Sequence, residues 1–345
     1  MIPPQQQVLV QGRYKLNRLL GKGGFGEVYS GVVTSTGEEV AVKIVPNTKR
    51  YSLAHEVGVM QTIQKFDDNP NARGIPALKY FGDDGGNTIL VMTLHGPSLE
   101  ELRSQKGSFP LRTVVALAVE MLTRVEFLHS VGFIHRDIKP ANFLMGGVGK
   151  IPTVFLIDFG LTIRYGGSHS RVHEGTAGCK FVGTSWFASL RTQQGFPQSR
   201  RDDIEQLVYT IIYLYVGRLP WSDLHHTKHS QCDESAEPIA AVKEGLTTAQ
   251  ICAKCPPQFE HLLRYARSLA FDETPGYDMC KGILLSAFPK TVLIKKRELT
   301  CKHVYIEKED AAHPHCLLPT LKGAEERNGT RPAVVWKRHV NARDS

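Results

Sequence analysis

Hydrophobic and polar positions alternate over the first hundred residues and then change rhythm. From Tyr14 to about Leu94 the runs YKLNRLL, EVYSGVV, EEVAVKIV and NTILVMTL alternate or are rich in β-branched residues. Gly, Asp and Asn break them, so the pattern predicts strands joined by turns. One segment, roughly Ser52 to Lys65, spaces Leu53, Val57 and Met60 as a helix would. From Pro97 to about Phe288 the period is helical. It is clearest from Leu111 to His129, where Val114, Leu117, Ala118, Met121, Leu122, Val125 and Leu128 predict one apolar stripe. A mostly β part followed by a mostly α part predicts an α+β protein with a ligand cleft between its halves.

Composition narrows the classes without naming a chemistry. The 345 residues are 41% hydrophobic and 22% charged, near the globular average, which excludes wholesale disorder and a disulfide scaffold. Seven cysteines, thinly spread, and a start (MIPPQQQVLVQG) without a basic-then-apolar leader lead us to expect a reducing, cytoplasmic setting. The longest apolar stretch, around Leu207 to Val216, is too short for a bilayer span, so no membrane partner is expected. The net charge is +8, and from Lys290 onward twelve basic residues stand against seven acidic ones. Such a tail is a solvated arm able to meet acidic partners. Within it, Lys295-Lys296-Arg297 would allow nuclear access. A nucleic-acid-binding role would rest on that tail alone and is not expected.

Gly21-Lys22-Gly23-Gly24-Phe25-Gly26 fits G-x-G-x-x-G, a spacing shared with dinucleotide folds and ordinary tight turns. In a dinucleotide fold the glycines open a helix. Here they lead into the β-branched stretch Glu27 to Val33, as expected of a strand-turn-strand whose backbone lies close over phosphates. Lys43 ends the run Val40-Ala41-Val42-Lys43, so Val40 and Val42 should face one way, Ala41 and Lys43 the other. Glu56 shares the helical face of Met60 and Ile63. A carboxylate on a packed face needs a cation, and Lys43 is the candidate; the pair would hold the ammonium over a phosphate.

The decisive stretch is Gly132 to Leu144, reading GFIHRDIKPANFL, followed by Asp158-Phe159-Gly160 after the apolar run Val154 to Ile157. Phosphoryl transfer needs aligned reactants and neutralised charge. Asp158 and Asn142 offer hard oxygens to Mg²⁺, Asp137 can take the proton of an attacking hydroxyl, and Lys139 can offset charge on the transferred phosphate.

With these motifs in place, the sequence resembles a eukaryotic protein kinase from about Tyr14 to Phe288. Lys139, two residues after Asp137, resembles the serine/threonine-specific enzymes. The stretches HGPSLE from His95, HRDIKPANFLM, SRRDDIEQLVYTIIYLYVGRLPW from Ser199 and FDETPGY from Phe271 are similar to the casein kinase 1 group, including its tau-tubulin kinase branch. The usual A-P-E is absent, and GTSWFASL from Gly183 stands in its place. The resemblance implies a bilobal kinase-like α+β fold, a small mostly β N-terminal lobe and a larger mostly α C-terminal lobe with the nucleotide cleft between. It sets an extension at 1–13, a kinase domain at 14–290 (lobes 14–94 and 95–290) and a basic tail at 291–345.

It also implies further roles. Thr184 should bond near Asp137 and Lys139, and Asp203 should brace the His135-Arg136-Asp137 loop. Met92 should gate an adenine pocket, with backbone at Thr93 and His95 reading the adenine edge. Leu20 belongs to the same nucleotide site, and Val28, Ala41 and Leu144 should sandwich the base. The substrates implied are ATP with Mg²⁺ and a protein Ser or Thr, acidic or phospho-primed through Arg200, Arg201 and Lys228, although His225, His226 and His229 occupy places where lysines are expected. A monomer is expected. The rival is a catalytically silent kinase fold that serves as a scaffold, against which the complete set Lys43, Glu56, Asp137, Asn142 and Asp158 argues. Ser168, Ser170 and Thr176 lie in the stretch where many kinases carry a loop phosphate that pairs with the residue at Arg136, whereas the resemblance implies activity without such phosphorylation. Cys252 and Cys255, with His225, His226, His229 and Cys232, form a weak candidate for zinc.

Overall fold

The computed structural model describes residues 9–23, 26–66, 74–146, 153–165, 175, 177–224 and 236–288. Gly24, Phe25, the serines at 168 and 170, Thr176, the 225–232 histidines and Cys232, Lys228, and the tail from 289 lie outside them.

The N-terminal part is a six-stranded sheet, β1 (Leu9–Val10), β2 (Tyr14–Gly23), β3 (Gly26–Val33), β4 (Glu39–Pro46), β5 (Leu78–Asp84) and β6 (Asn87–Thr93). The order is β1-β2-β3-β4-β6-β5, every pair antiparallel. Helix α1 (Arg50–Gln64) packs across it, starting two residues before Ser52 because the 3₁₀ turn Asn47–Lys49 runs directly into it. The pleat sorts the side chains of β4 as alternation predicts. Val40 and Val42 join Val10, Tyr14, Val33, Ile89 and Val91 in an outer cluster. Ala41 and Lys43, on the opposite face, are buried toward α1 and the cleft.

The C-terminal part is mostly helical: α2 (Leu99–Lys106), α3 (Leu111–Ser130), α4 (Leu190–Gln193), α5 (Arg200–Val216), α6 (Ala236–Gly245), α7 (Thr248–Ile251), α8 (Pro257–Ser268) and α9 (Tyr277–Leu285). Two short ladders lie at its top, β7 (Phe133–Ile134) with β10 (Ile163–Arg164), and β8 (Phe143–Met145) with β9 (Val154–Leu156). Ser98 caps α2 by accepting from the Glu101 N–H, and Glu101 returns the bond to the Ser98 N–H. Helix α3 is buried on more than the expected stripe. Thr113, Val115, Ala116, Phe127 and His129 are also covered, because α5, α9 and β9 pack on different sides of it.

Helix α5 is the axis of this lobe. Every residue from Arg201 to Leu214 is buried, including Asp202, Asp203, Glu205 and Gln206. A helix buried all round and carrying charge must satisfy that charge internally, because an unpaired buried polar group costs ~1–3 kcal/mol. Those obligations are what position the catalytic-type loop above it.

Candidate active site

The loop after β7 hangs from α5 by its backbone. The two oxygens of Asp203 accept the His135 N–H (2.7 Å) and the Arg136 N–H (2.8 Å), and Gln206 Oε1 accepts the Ile138 N–H (2.7 Å). Asp203 and Gln206 are three apart on one helical face, so the loop amides at 135, 136 and 138 meet acceptors about one turn apart. Asp203 also accepts from His129 Nε2 (2.9 Å), and the other ring nitrogen of His129 meets the Tyr277 hydroxyl at 2.7 Å. Burial works against the Asp203 carboxylate, but the donation from His129 and the loop amides outweighs it and holds its pKa below the ordinary value.

His135 then fixes the next residue. Its Nε2 donates to Ile157 O (3.1 Å), so Nδ1 is the acceptor for the Asp137 N–H (3.3 Å). Asp137 itself is buried, and Thr184, Lys139 and Asn142 all engage its carboxylate. Thr184 Oγ1 donates to Oδ1 (2.7 Å), Lys139 Nζ pairs with Oδ2 (2.7 Å), and Lys139 also donates to Thr184 (2.9 Å). Gly183 permits this close approach. Its φ is +116°, and a Cβ there would meet Arg136 O at 2.7 Å. Arg136, at φ 71°, sends Nε to Leu161 O (2.6 Å).

The second group converges from above. Lys43 Nζ lies 2.7 Å from Glu56 Oε2 and 3.6 Å from Asp158 Oδ1. Burial disfavours the Lys43 ammonium, but the carboxylates of Glu56 and Asp158 prevail and raise its pKa. Burial pushes the Glu56 carboxyl up, with Lys43 opposing. For Asp158, burial is again overcome, here by Lys43, His135, Lys139 and the Gly160 N–H, and its pKa is lowered. Lys139 acting on Asp158 ties the two groups into one electrostatic unit. Asp158 holds a left-handed φ of 66°, a conformation costing ~1–3 kcal/mol, and Phe159 beside it is buried and edge-on to His135.

The donor set suits Mg²⁺. Asn142 Nδ2 donates to Asp137 O (2.9 Å) and Oδ2 (3.2 Å), which leaves its amide oxygen without a protein partner among the described residues. That oxygen and the partly exposed Asp158 carboxylate are hard donors, few in number, as suits a cation that takes its remaining ligands from phosphates and water.

The lobes meet along residues 94–97. Gly96 N–H donates to Met145 O (2.8 Å) and Met145 N–H to Pro97 O (3.0 Å), which sets Leu144 beneath the connection. Above it, Ala41 pairs in register with Met92, and Val28 with Lys43. The Thr93 N–H is already given to Ala77 O (3.0 Å), so adenine reading at Thr93 cannot use that donor. The His95 ring stacks on Phe155 with centroids 3.6 Å apart. Gly21, Lys22 and Gly23 pair with Val28, Glu27 and Gly26 as a hairpin tip, and Lys22 bridges Glu27 at 2.8 Å across it. The glycines divide into two kinds. A Cβ at Gly21 or Gly23 would meet open space, whereas at Gly26 (φ +114°) it would strike Ile44 O. Gly26 therefore serves the sheet. Leu20 is more than a third exposed beside the tip.

Two arginines and two cysteines singled out in the sequence have defined surroundings. Arg201 is buried, donates to Leu269 O (3.2 Å) and lies over Phe271. Arg200 lies over Tyr165 and donates to its hydroxyl and to Asp272 O. Both guanidinium groups join α5 to neighbouring chain. The Cys252 and Cys255 thiols are pushed up to about 12 by burial, which opposes the thiolate form zinc requires. Among the described residues no group of three His, Cys, Asp or Glu is gathered for a metal.

Sequence reasoning missed Gln206, His129 and Thr210, whose hydroxyl reaches Ile138 O at 3.4 Å. The signal was present: 203, 206 and 210 are polar positions three and four apart, on one face of a helix. No helix among the described residues is long and apolar enough to cross a membrane. The family model of the protein kinase domain matches residues 14–272, well over half of the chain. Such a domain uses ATP with Mg²⁺ and acts on protein substrates. The antiparallel sheet, the helical lobe and the loops at 135–142 and 158–160 are laid out accordingly, and the chain belongs to the protein kinase domain family.

Proposed function

We propose that this chain is an active serine/threonine protein kinase of the casein kinase 1 type, including the tau-tubulin kinase branch, with its kinase domain at 14–290 and a basic tail from 291. One observation supports the reading above others. Asp137, Lys139 and Thr184 form a closed hydrogen-bonded triangle at 2.7–2.9 Å, beside a lysine-carboxylate cluster of Lys43, Glu56 and Asp158.

The residues divide the work as follows. Lys43, kept charged and fixed by Glu56, faces the phosphate chain. Asn142 and Asp158 would hold Mg²⁺, which when bound offsets negative charge on the phosphates. Thr184 and Lys139 orient the Asp137 carboxylate, which accepts the proton of the acceptor hydroxyl, and Lys139 stabilises charge on the transferred group. Val28, Ala41, Leu144 and Met92 enclose the adenine. Leu20 with Gly21, Lys22, Gly23, Gly24, Phe25 and Gly26 would cover the phosphates. Acceptors on acidic or primed proteins remain compatible with the tail but draw no support from Arg201.

The test is a phosphorylation assay of wild type and Asp137→Asn on casein, tubulin and a peptide set. Turnover should fall by ~10³-fold or more in the variant, with nucleotide binding kept. Comparable turnover would remove Asp137 as the base. A wild type that transfers nothing yet binds nucleotide would make the chain a scaffold. Asp158→Asn should abolish the Mg²⁺-dependent part of the nucleotide thermal shift.

A further inference from the structure

A second buried lysine lies outside this cluster. Lys243, on α6, has no exposed surface, and its ammonium donates to Ser185 O (3.0 Å) and Ala188 O (2.6 Å). It also stands 4.9 Å from the Tyr209 ring centre and 4.7 Å from that of Trp221. Carbonyl oxygens and ring faces are the surroundings a dehydrated ammonium needs. The nearby charges, Glu205 and Arg267, are paired with each other at 3.1 Å. Burial draws the Lys243 pKa well below its ordinary value. An apolar side chain of similar length would fill this space without that penalty.

What the lysine adds is a pair of donors to one turn. The carbonyl between its two acceptors, Trp186 O, receives Trp221 Nε1 (2.9 Å), and Ser185 O takes a second bond from Gln193 Nε2 (3.1 Å). The carbonyls of 185, 186 and 188 are thus fastened into the helical lobe. Thr184 O closes the turn by accepting the Phe187 and Ala188 N–H groups (3.0 and 2.9 Å). Thr184 is also the residue whose hydroxyl touches Asp137 and Lys139.

We propose that Lys243 is a positioning residue for phosphoryl transfer. Its ammonium sets the height of the 184–188 turn, and so the Thr184 hydroxyl against Asp137 and the floor on which an acceptor peptide lies. The inference rests on the kinase reading for its catalytic consequence, whereas the tether itself does not. Lys243 is remote from Lys43 and the 94–97 connection in its contacts, so nucleotide binding should not depend on it.

The experiment compares the full chain as wild type, Lys243→Met and Lys243→Gln by amide hydrogen exchange and by steady-state kinetics with peptide and ATP varied separately. Lys243→Met should speed exchange at Phe187 and Ala188 by about tenfold or more, with the α3 amides unchanged. It should lower peptide kcat/KM by about 10- to 100-fold and leave the ATP KM within about twofold. Lys243→Gln, which keeps an N–H donor on a shorter arm, should recover part of both. Unchanged exchange at Phe187 and Ala188, or an ATP KM that moves with the peptide KM, overturns the proposal. If Lys243→Met loosens the whole lobe, Lys243→Gln decides: loosening confined to 184–188 supports the tether, and uniform loosening overturns it. A wild type without transferase activity defeats the kinase reading instead, and the exchange comparison still judges the tether.

Discussion

The loop that carries Asp137 and the hairpin that carries the glycines are held in opposite ways. The loop's backbone amides at 135, 136 and 138 all end on side chains of α5, a helix buried from Arg201 to Leu214. The hairpin tip has open space around Gly21 and Gly23, and Leu19 beside it is 48% exposed. The lesson is that rigidity here is allotted by burial of polar groups. A buried carboxylate accepts only one arrangement of donors, so whatever it holds is fixed, while an exposed hairpin can adapt to what enters beneath it.

The comparison breaks first at Asp203. Asp203→Ala leaves two loop amides and His129 without their acceptor. Urea unfolding should show a loss of about 3 kcal/mol or more, with kcat down by about 100-fold. A fully stable, active variant would show that the loop holds itself.

Asp202 is the next lever, and its sign is the reverse. Burial raises its carboxyl from 3.8 to about 6, although Ser189 (2.5 Å) and the Ser199 N–H (2.7 Å) both donate to it. Below about pH 4 it is protonated in both the folded and unfolded chains and contributes nothing. Between about pH 4 and 6 the unfolded chain releases the proton first, so stability falls as pH rises, by about 3 kcal/mol once pH exceeds 6. Asp202→Asn should therefore melt higher than wild type at pH 7 by more than it does at pH 4. A difference independent of pH would place the titration elsewhere.

Smaller effects sharpen the hairpin side. Gly26→Ala must relieve both a φ of +114° and the clash with Ile44 O, and should cost about 2 kcal/mol in thermal unfolding. Gly21→Ala should change stability by less than about 0.5 kcal/mol and show itself in the ATP KM. Equal stability losses would mean that the tip is packed after all.

Much of the candidate site was legible in the chain because its residues are consecutive or follow strict periods. Asp137, Lys139 and Asn142 lie in one short loop, and the pairing of Lys43 with Glu56 follows from a strand face and a helix face that each admit one buried charge. Other positions gave weaker signals. Gln206 reads as one more polar residue until a loop amide is seen above it. Arg201 reads as surface charge until Leu269 O and Phe271 are seen around it. Lys243 is the extreme case, since nothing within α6 separates a solvated lysine from one closed in by Tyr209, Trp221 and two carbonyls.

By itself, then, the sequence determined the order of strands and helices and the identity of the groups gathered in the cleft, because periodicity and short spacings are properties of a local chain. Only the tertiary structure decided which polar side chains are buried and which backbone group each one serves. Those partners lie 45 to 74 residues apart in the cases of Thr184, Lys243, Asp203 and His129. The free energy that selects them is the cost of leaving a desolvated donor or acceptor unpaired, which exists only once the lobe has closed.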